Sequence, residues 1–318
     1  MTVQDKKRLF EFEPPAVRER TLLRFAGVEG YDVYNCSIPF EFKGRRHIFG
    51  RVEKRERWVA SRIALFAETE RDFYERVREF EMLPLEDPFI AVVDGEFILG
   101  GTHPQKVAGE ISTFFTYFFR GQDPLHLDYF TTGPAFMKDI RLAPLAPGRI
   151  GVFSRPRGED IRARYGSEAV VGYTEISSLD ELTPEVVQGA QVVPGLFDKD
   201  EWGGCNQCYP LADGRIGVAA HLCCPGPEAS NGVPRQIYCN AAFVFDPASH
   251  KASAPWIVAT RSLHAPAPNK VPHLDDCAFT SGFDFRPDGL VDIYSGLGDA
   301  AEGRIAIDGA NFWDCGKA

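Results

Sequence analysis

Five segments of the chain share one layout, and this repetition narrows the available folds more than any other feature. They are PFEFKGRRHIFGRVE, LEDPFIAVVDGEFILGGTH, RLAPLAPGRIGVFSRP, CYPLADGRIGVAAHLCC and GFDFRPDGLVDIYSGLG, with turn glycines Gly44, Gly95, Gly148, Gly214 and Gly289. Each reads as a β-hairpin, most clearly at Asp94-Gly95, a pair suited to positive φ and flanked by runs of β-branched and aromatic residues. Units of roughly 50 residues built from short strands cannot bury both faces alone, and a ring of such units solves the problem. The sequence therefore predicts an all-β, five-bladed β-propeller. It is read as a single domain over residues 1–318, with blades near 31–80, 85–130, 134–175, 203–250 and 275–310 and an inserted loop at 176–202.

Polar residues recur in register with the turns. Seven positions beyond each glycine stand Arg51, Thr102, Arg155, His221 and Gly296, and eight or nine positions before it stand Asn35, Asp87, Asp139, Asn206 and Ser281. Inner strands of a propeller converge on its axis, so one end of each hairpin should line a common funnel. Any single polar strand end is explained by solvent contact. A shared register across all the hairpins favours a site.

The connections complete the ring. Residues 5–30, with Phe10, Phe12, Leu22, Leu23 and Phe25, are expected to supply a strand that pairs with the last blade, because an open ring leaves two bare edges. Trp58 to Phe66 reads as a third strand, Glu68 to Glu81 as an outer strand with its connection, and Ile111 to Phe119 as another outer strand. In the insertion, Ser178 is placed to cap a short helix and Thr183-Pro184 to start a further turn; loops of this length often cover sites.

Composition excludes several classes. A net charge of −10 repels polyanions over most of the surface, which argues against nucleic acid. The opening MTVQDKKRLFEFEPP has no apolar leader core, and no run reaches the roughly 18 apolar residues of a spanning helix. A cytoplasmic protein with no membrane partner is expected, and its eight cysteines are then expected to be thiols. Cys205, Cys208, Cys223 and Cys224 lie on opposite arms of the Gly214 hairpin, a spacing that permits zinc, but strand alternation and the packing value of small thiols favour no metal.

The residues support two chemistries. Carboxylates at a funnel suit sugar hydroxyls and proton donation, with Asp87 the best donor, beside Glu86 and ahead of Pro88, which should hold its backbone extended. Hydrolysis with inversion would need a second carboxylate from Asp139, Asp276 or Asp299. Arg155 and His221, with Lys138, instead form a positive pocket suited to phosphate oxygens, and attack by phosphate needs no carboxylate base. For Arg155 the alternative is an ion pair with an acid of a neighbouring blade. A propeller that only binds carbohydrate or protein is the third reading.

Asn35 with Pro39, Arg51 in GRVE, Ser61-Arg62-Ile63-Ala64, Glu86-Asp87-Pro88, Lys138-Asp139, Arg155-Pro156, His221 and Tyr294 to Asp299 stand in an order that resembles the mannoside phosphorylases of glycoside hydrolase family 130. YDVYNCSIPF and GCNQCYPLADGRIG look more like a divergent branch, the dual mannosyltransferase/phosphorylases of trypanosomatids. The resemblance implies a five-bladed propeller, no cofactor, and phosphorolysis of β-1,2-linked mannosides with inversion and its reverse. Its partners are a mannose oligosaccharide and inorganic phosphate or mannose 1-phosphate, with GDP-mannose as a further donor. It makes Asp87 the general acid, acting through a sugar hydroxyl, and Arg155 and His221 phosphate binders, with Lys138 beside them. Asn35, Arg51, Asp139 and Asp299 match residues around the terminal mannose, and Asn206 and Asp276 join this substrate-binding set. The sequence departs from the family pattern at Met137, usually Asn, and at Phe89, usually Arg.

Overall fold

The computed structural model describes residues 1–56, 60–107 and 110–317. Its strands form five sheets around one axis, the predicted five-bladed β-propeller. Blade one runs outward from Asp32–Tyr34 and Phe40–Phe42 through Arg45–Glu53 and Arg62–Glu70 to Phe73–Arg76. Blade two comprises Glu86–Val93, Glu96–Val107, Glu110–Asp123 and His126–Thr132. Blade three comprises Arg141–Ala146, Arg149–Ser154, Gly172–Ile176 and Gln191–Val192. Blade four is built on Trp202–Pro210, Ile216–Glu228 and Pro234–Asp246, and blade five on Ala278–Phe285, Leu290–Leu297 and Ala301–Asp308. Asp94 and Gly95 both take positive φ, 49° and 84°, the conformation a two-residue hairpin turn demands.

Hydrophobic clusters lie between the blades. Phe49, Ile63 and Leu65 meet Ile90, Phe97 and Leu99 between blades one and two. Phe153 and Tyr173 meet Phe243 and Phe245 between blades three and four. The sheets therefore bury their faces against each other, as the repeat requires.

The chain closes the ring with its N-terminal part. Glu19–Leu22 pairs antiparallel with Gly303–Ala306 as the outer strand of blade five, and Arg24–Ala26 then pairs parallel with Phe73–Glu75 as the outer strand of blade one. Arg304 reinforces the seam, donating to Glu19, Asp72 and Asp292. The residues before the seam correct the sequence reading: Val3–Phe12 is a helix, capped by the Thr2 hydroxyl, and not part of a strand. Its contacts are long-range, Lys7 to Asp276 at 3.2 Å and Glu11 to Thr260 and Ser262, so the local pattern of Phe10 and Phe12 did not reveal it.

In residues 176–202 the short helix expected after Ser178 and the start expected at Thr183-Pro184 are both present, but the segment is not an inserted loop. A turn at Leu179–Glu181 and a helix at Pro184–Gln188, capped by Thr183, bury Leu179, Leu182 and Val187 between blades two and three. Gln191–Val192 then pairs with Gly172–Tyr173, so this segment completes blade three, and none of its described residues lines the central pocket. A second helix, Glu159–Tyr165, interrupts blade three before Gly172–Ile176. Trp58 and Val59 of the expected third strand lie outside the described residues; the strand observed is Arg62–Glu70. Across the Gly214 hairpin Cys205 pairs with Ala220, Cys208 with Val218 and Cys223 with Trp202, so the cysteines of the two arms do not face one another.

Candidate active site

The polar register becomes a cavity of 280 Å³ on the axis, to which every blade contributes. Blade one gives Asn35 and Arg51, blade two Glu86 and Asp87, blade three Lys138, Asp139 and Arg155, blade four His221 and Tyr238, and blade five Phe279 and Asp299. The inner strands present these side chains through breaks in their ladders. In blade two the pairing passes from Glu86 with Thr102 to Phe89 with Gly100, leaving Asp87 at the irregularity. Asn206 and Ser281 sit at equivalent breaks. Asn35, Asp87 and Asp139 have left-handed backbones, with φ of 46°, 49° and 60°. Such bulges turn a side chain out of the sheet and are common beside active sites. Asp87 thus contradicts the expectation that Pro88 keeps it extended: its contacts in the pocket override the local preference.

One half of the cavity is acidic. Asn35 Nδ2 and Arg51 Nη1 donate to Asp87 Oδ1 at 2.9 and 3.0 Å, and Arg51 Nη2 lies 3.4 Å from Glu86 Oε1. Arg51 is held from behind by Ser61 Oγ at 2.9 Å and by Glu53, which is also bound by Lys270 and by Tyr34 at 2.5 Å. Burial pushes the carboxyls of Glu86 and Asp299 above their ordinary range, and the charge on Asp87 adds to the effect while Arg51 opposes it. Glu86 and Asp299 therefore hold a proton more readily than exposed carboxyls do.

The other half is cationic. Arg155 Nη1 donates to Asp139 Oδ2 at 2.8 Å and Nε to the Gly203 carbonyl at 2.6 Å, leaving Nη2 without a protein partner among the described residues. Burial would raise the Asp139 carboxyl, but Arg155, Lys138 and Arg141 together hold it well below the usual range. His221 is wholly buried, and burial, reinforced by Arg155, drives its pKa well below that of a free imidazole. Burial thus favours the neutral imidazole, where the sequence reading counted His221 among the cations. Its Nδ1 is 2.7 Å from Asn206 Oδ1, so Nδ1–H donates and Nε2, which has no partner, carries a lone pair.

Eight of the ten predicted site residues line the cavity: Asn35, Arg51, Asp87, Lys138, Asp139, Arg155, His221 and Asp299. Asn206 stands behind His221 and orients its ring. Asp276 points elsewhere, pairing with Lys7 of the N-terminal helix at 3.2 Å, and does not line the cavity. Among the other register positions, Gly296 makes room for Asn35, whose Oδ1 lies 1.8 Å from where a Cβ would stand. Ser281 Oγ donates to buried Glu302, which in turn accepts from the Cys36 backbone. Met137 and Phe89 are core residues between blades two and three, and the Arg141 guanidinium lies 4.4 Å from the Phe89 ring centre. Sequence reasoning missed Glu53 and Lys270 behind Arg51, and Tyr238 and Phe279 on either side of His221. Only Glu53, two residues after Arg51, carried a local hint.

Solved structures give the comparison. A mannose phosphorylase from Leishmania mexicana, MPT-4, in complex with phosphate ion, is 45% identical with a TM-score of 0.90, over 97% of this chain and 93% of that one. MPT-1, a GDP-Man-dependent mannosyltransferase from the same organism, is 39% identical with a TM-score of 0.88, over 96% of this chain and 94% of that one. A β-1,2-mannobiose phosphorylase from Listeria innocua, 12% identical with a TM-score of 0.61 over 89% and 92% of the two chains, shares the fold. No curated protein matches the chain. No helix among the described residues is long and apolar enough to cross a membrane. The resemblance to the trypanosomatid enzymes is borne out, and since the model described as Protein of unknown function (DUF1861) matches residues 10–311, the chain belongs to that family.

Proposed function

We propose that this protein transfers mannose by reversible, inverting phosphorolysis of β-1,2-linked mannosides, giving mannose 1-phosphate. The observation that carries the reading is the division of one buried cavity into a carboxyl cluster around Asp87 and a cationic wall of Arg155 and Lys138. In this reading the terminal mannose lies between them, held by Asn35, Arg51, Asp139 and Asp299. Asp87 supplies the proton to the departing oxygen through a sugar hydroxyl. Phosphate binds Arg155 and Lys138 and presents its P–OH to the lone pair of His221 Nε2, so neutral His221 selects a protonated phosphate oxygen. A nucleoside-diphosphate mannose would enter through its sugar-linked phosphate at the same place, in keeping with the activity of MPT-1.

The hydrolase alternative needs a free second base. Asp139 is tied to Arg155 and strongly acidic, and Asp276 is paired with Lys7, which leaves Asp299 and Glu86, whose carboxyls burial favours keeping protonated. Seven of the eight cysteines are free thiols among the described residues, which suits a reducing compartment such as the cytoplasm. The test is incubation of β-1,2-mannobiose with and without phosphate. Phosphate-dependent release of mannose 1-phosphate is expected; equal release of mannose in both tubes would overturn the reading in favour of hydrolysis.

A further inference from the structure

Blade one leaves its own ladder where Asn35 enters the cavity. Tyr34 pairs with Arg51, and pairing resumes at Ser37, whose N–H donates to the Phe49 carbonyl at 2.8 Å. Between them lie Asn35, left-handed at φ 46°, and Cys36, both buried, so their N–H groups need an acceptor from elsewhere.

Blade five supplies it. Glu302 is fully buried; its Oε2 accepts from the Cys36 N–H at 3.1 Å and its Oε1 from Ser281 Oγ at 2.6 Å. The Asn35 backbone joins these contacts in favouring the charged carboxyl, against the cost of burial. In the blade-five ladder Glu302 stands directly opposite Gly296, so the two share one face of the sheet. On that face Gly296 gives up a side chain to admit Asn35, and Glu302 beside it reaches the turn that carries Asn35. The Glu302 carbonyl also accepts from the Leu23 N–H at 2.9 Å, at the seam that closes the ring. No cation pairs with this carboxyl among the described residues, and a buried carboxyl without one is costly where an apolar side chain of the same size would pack. Its contacts run in one line toward the acid: Glu302 to the Asn35–Cys36 backbone, then Asn35 Nδ2 to Asp87 Oδ1 at 2.9 Å. We propose that Glu302 is a positioning residue for the transfer reaction, fixing the turn at Asn35 and Cys36 and through it the amide that holds Asp87. This rests on the proposed role of Asp87 as the acid.

The test is initial-rate phosphorolysis of β-1,2-mannobiose by the whole protein, with a melting curve for each variant. Glu302→Leu fills the space without an acceptor and should lower kcat about tenfold, with KM for phosphate within about twofold, because the phosphate wall belongs to blade three. Glu302→Gln keeps an oxygen for the backbone N–H and can donate through Nε2 to Ser281, so it should stay within about threefold of wild type. On an Asn35→Ala background, Glu302→Leu should lower kcat by less than about twofold further, since the group it positions is gone. If Glu302→Leu does not fold, Ser281→Ala takes its place: it frees Oε1 and should lower kcat about threefold at unchanged phosphate KM. Normal kcat in the folded variant, equal losses with and without Asn35, or a Gln variant as slow as Leu would overturn the role of Glu302. Wild type that releases no mannose 1-phosphate in response to phosphate would overturn the phosphorylase reading, and this inference with it.

Discussion

Replacing Arg155 by alanine separates a phosphate-binding arginine from one that only braces the fold. The side chain is 5% exposed and already spends Nη1 on Asp139 at 2.8 Å and Nε on the Gly203 carbonyl at 2.6 Å. Its remaining Nη2 would make one charge-assisted bond to phosphate, worth about 1.5–3 kcal/mol, so the variant should raise KM for phosphate about 10- to 150-fold. Removing one member of a buried pair costs about 3–5 kcal/mol. Asp139 keeps Arg141 at 3.6 Å, which puts the cost at the lower end, about 3 kcal/mol and a fall in Tm of about 4–5 °C. Arg155→Lys should restore part of the stability by returning a charge near Asp139, yet recover little phosphate affinity, because an ammonium cannot contact Asp139, Gly203 and phosphate in one fork. The assay is initial phosphorolysis rate against phosphate at saturating mannobiose, run beside thermal melts of each variant. Should both variants melt early but keep the wild-type KM for phosphate, the anion site is elsewhere and Arg155 is a brace.

Asp87→Asn should leave the melting curve near wild type and lower kcat by about two to four orders of magnitude, since an amide keeps contact with Arg51 but cannot deliver the proton; near-normal turnover would move the acid to another residue. Gly296→Ala places a methyl 1.8 Å from Asn35 Oδ1 and should push Asn35 off Asp87, reducing kcat/KM with mannobiose about tenfold or more, and unchanged kinetics would show that this contact is dispensable. Burial pushes Glu302 up to about 7 from an ordinary 4.5, against hydrogen bonds from Ser281 and the Cys36 backbone. A carboxyl raised on folding stabilises the protein fully below the unfolded value and loses that contribution as pH rises through the folded value. Wild type should therefore lose about 3 kcal/mol relative to Glu302→Gln between about pH 4.5 and 7, and parallel stability curves in urea across that range would refute the assignment.

Much of the architecture was legible because the repeat is local. Each hairpin carries its own turn, and a turn glycine with polar residues at fixed offsets needs no knowledge of distant chain. The same offsets marked six of the sixteen residues that line the cavity, Asn35, Arg51, Asp87, Asp139, Arg155 and His221. What the sequence hid depends on partners far along the chain. Lys270 comes from a proline-rich connection and ends against Glu53 of another blade. The helix at Val3–Phe12 forms where it can set Lys7 on Asp276, which removed Asp276 from the site.

Conformation and charge state were hidden for a related reason. Asp87 before Pro88 should be extended on local grounds, yet φ is 49°, and the hydrogen bonds from Asn35 and Arg51 are what an aspartate so placed can reach. The left-handed backbone at a polar residue costs about 1–3 kcal/mol, and it recurs at Asn35, Asp139 and Asp299. A fold held together by five packed interfaces can carry that strain, and the return is a set of side chains aimed across the strands into one small volume. His221 shows the same dependence on surroundings. Sequence assigns it as a cation by its neighbours, but enclosure between Tyr238 and Phe279, with Arg155 close by, makes the charged form the costly one. The cationic wall of the site then reduces to Arg155 and Lys138, with a neutral acceptor beside them. Such a wall distinguishes phosphate, which can both accept from arginine and donate a P–OH, from a sulfate ion, which near neutrality can only accept. Sulfate should accordingly be a weak competitor against phosphate in the phosphorolysis assay, and inhibition by sulfate with an affinity equal to that of phosphate would refute the neutral assignment of His221.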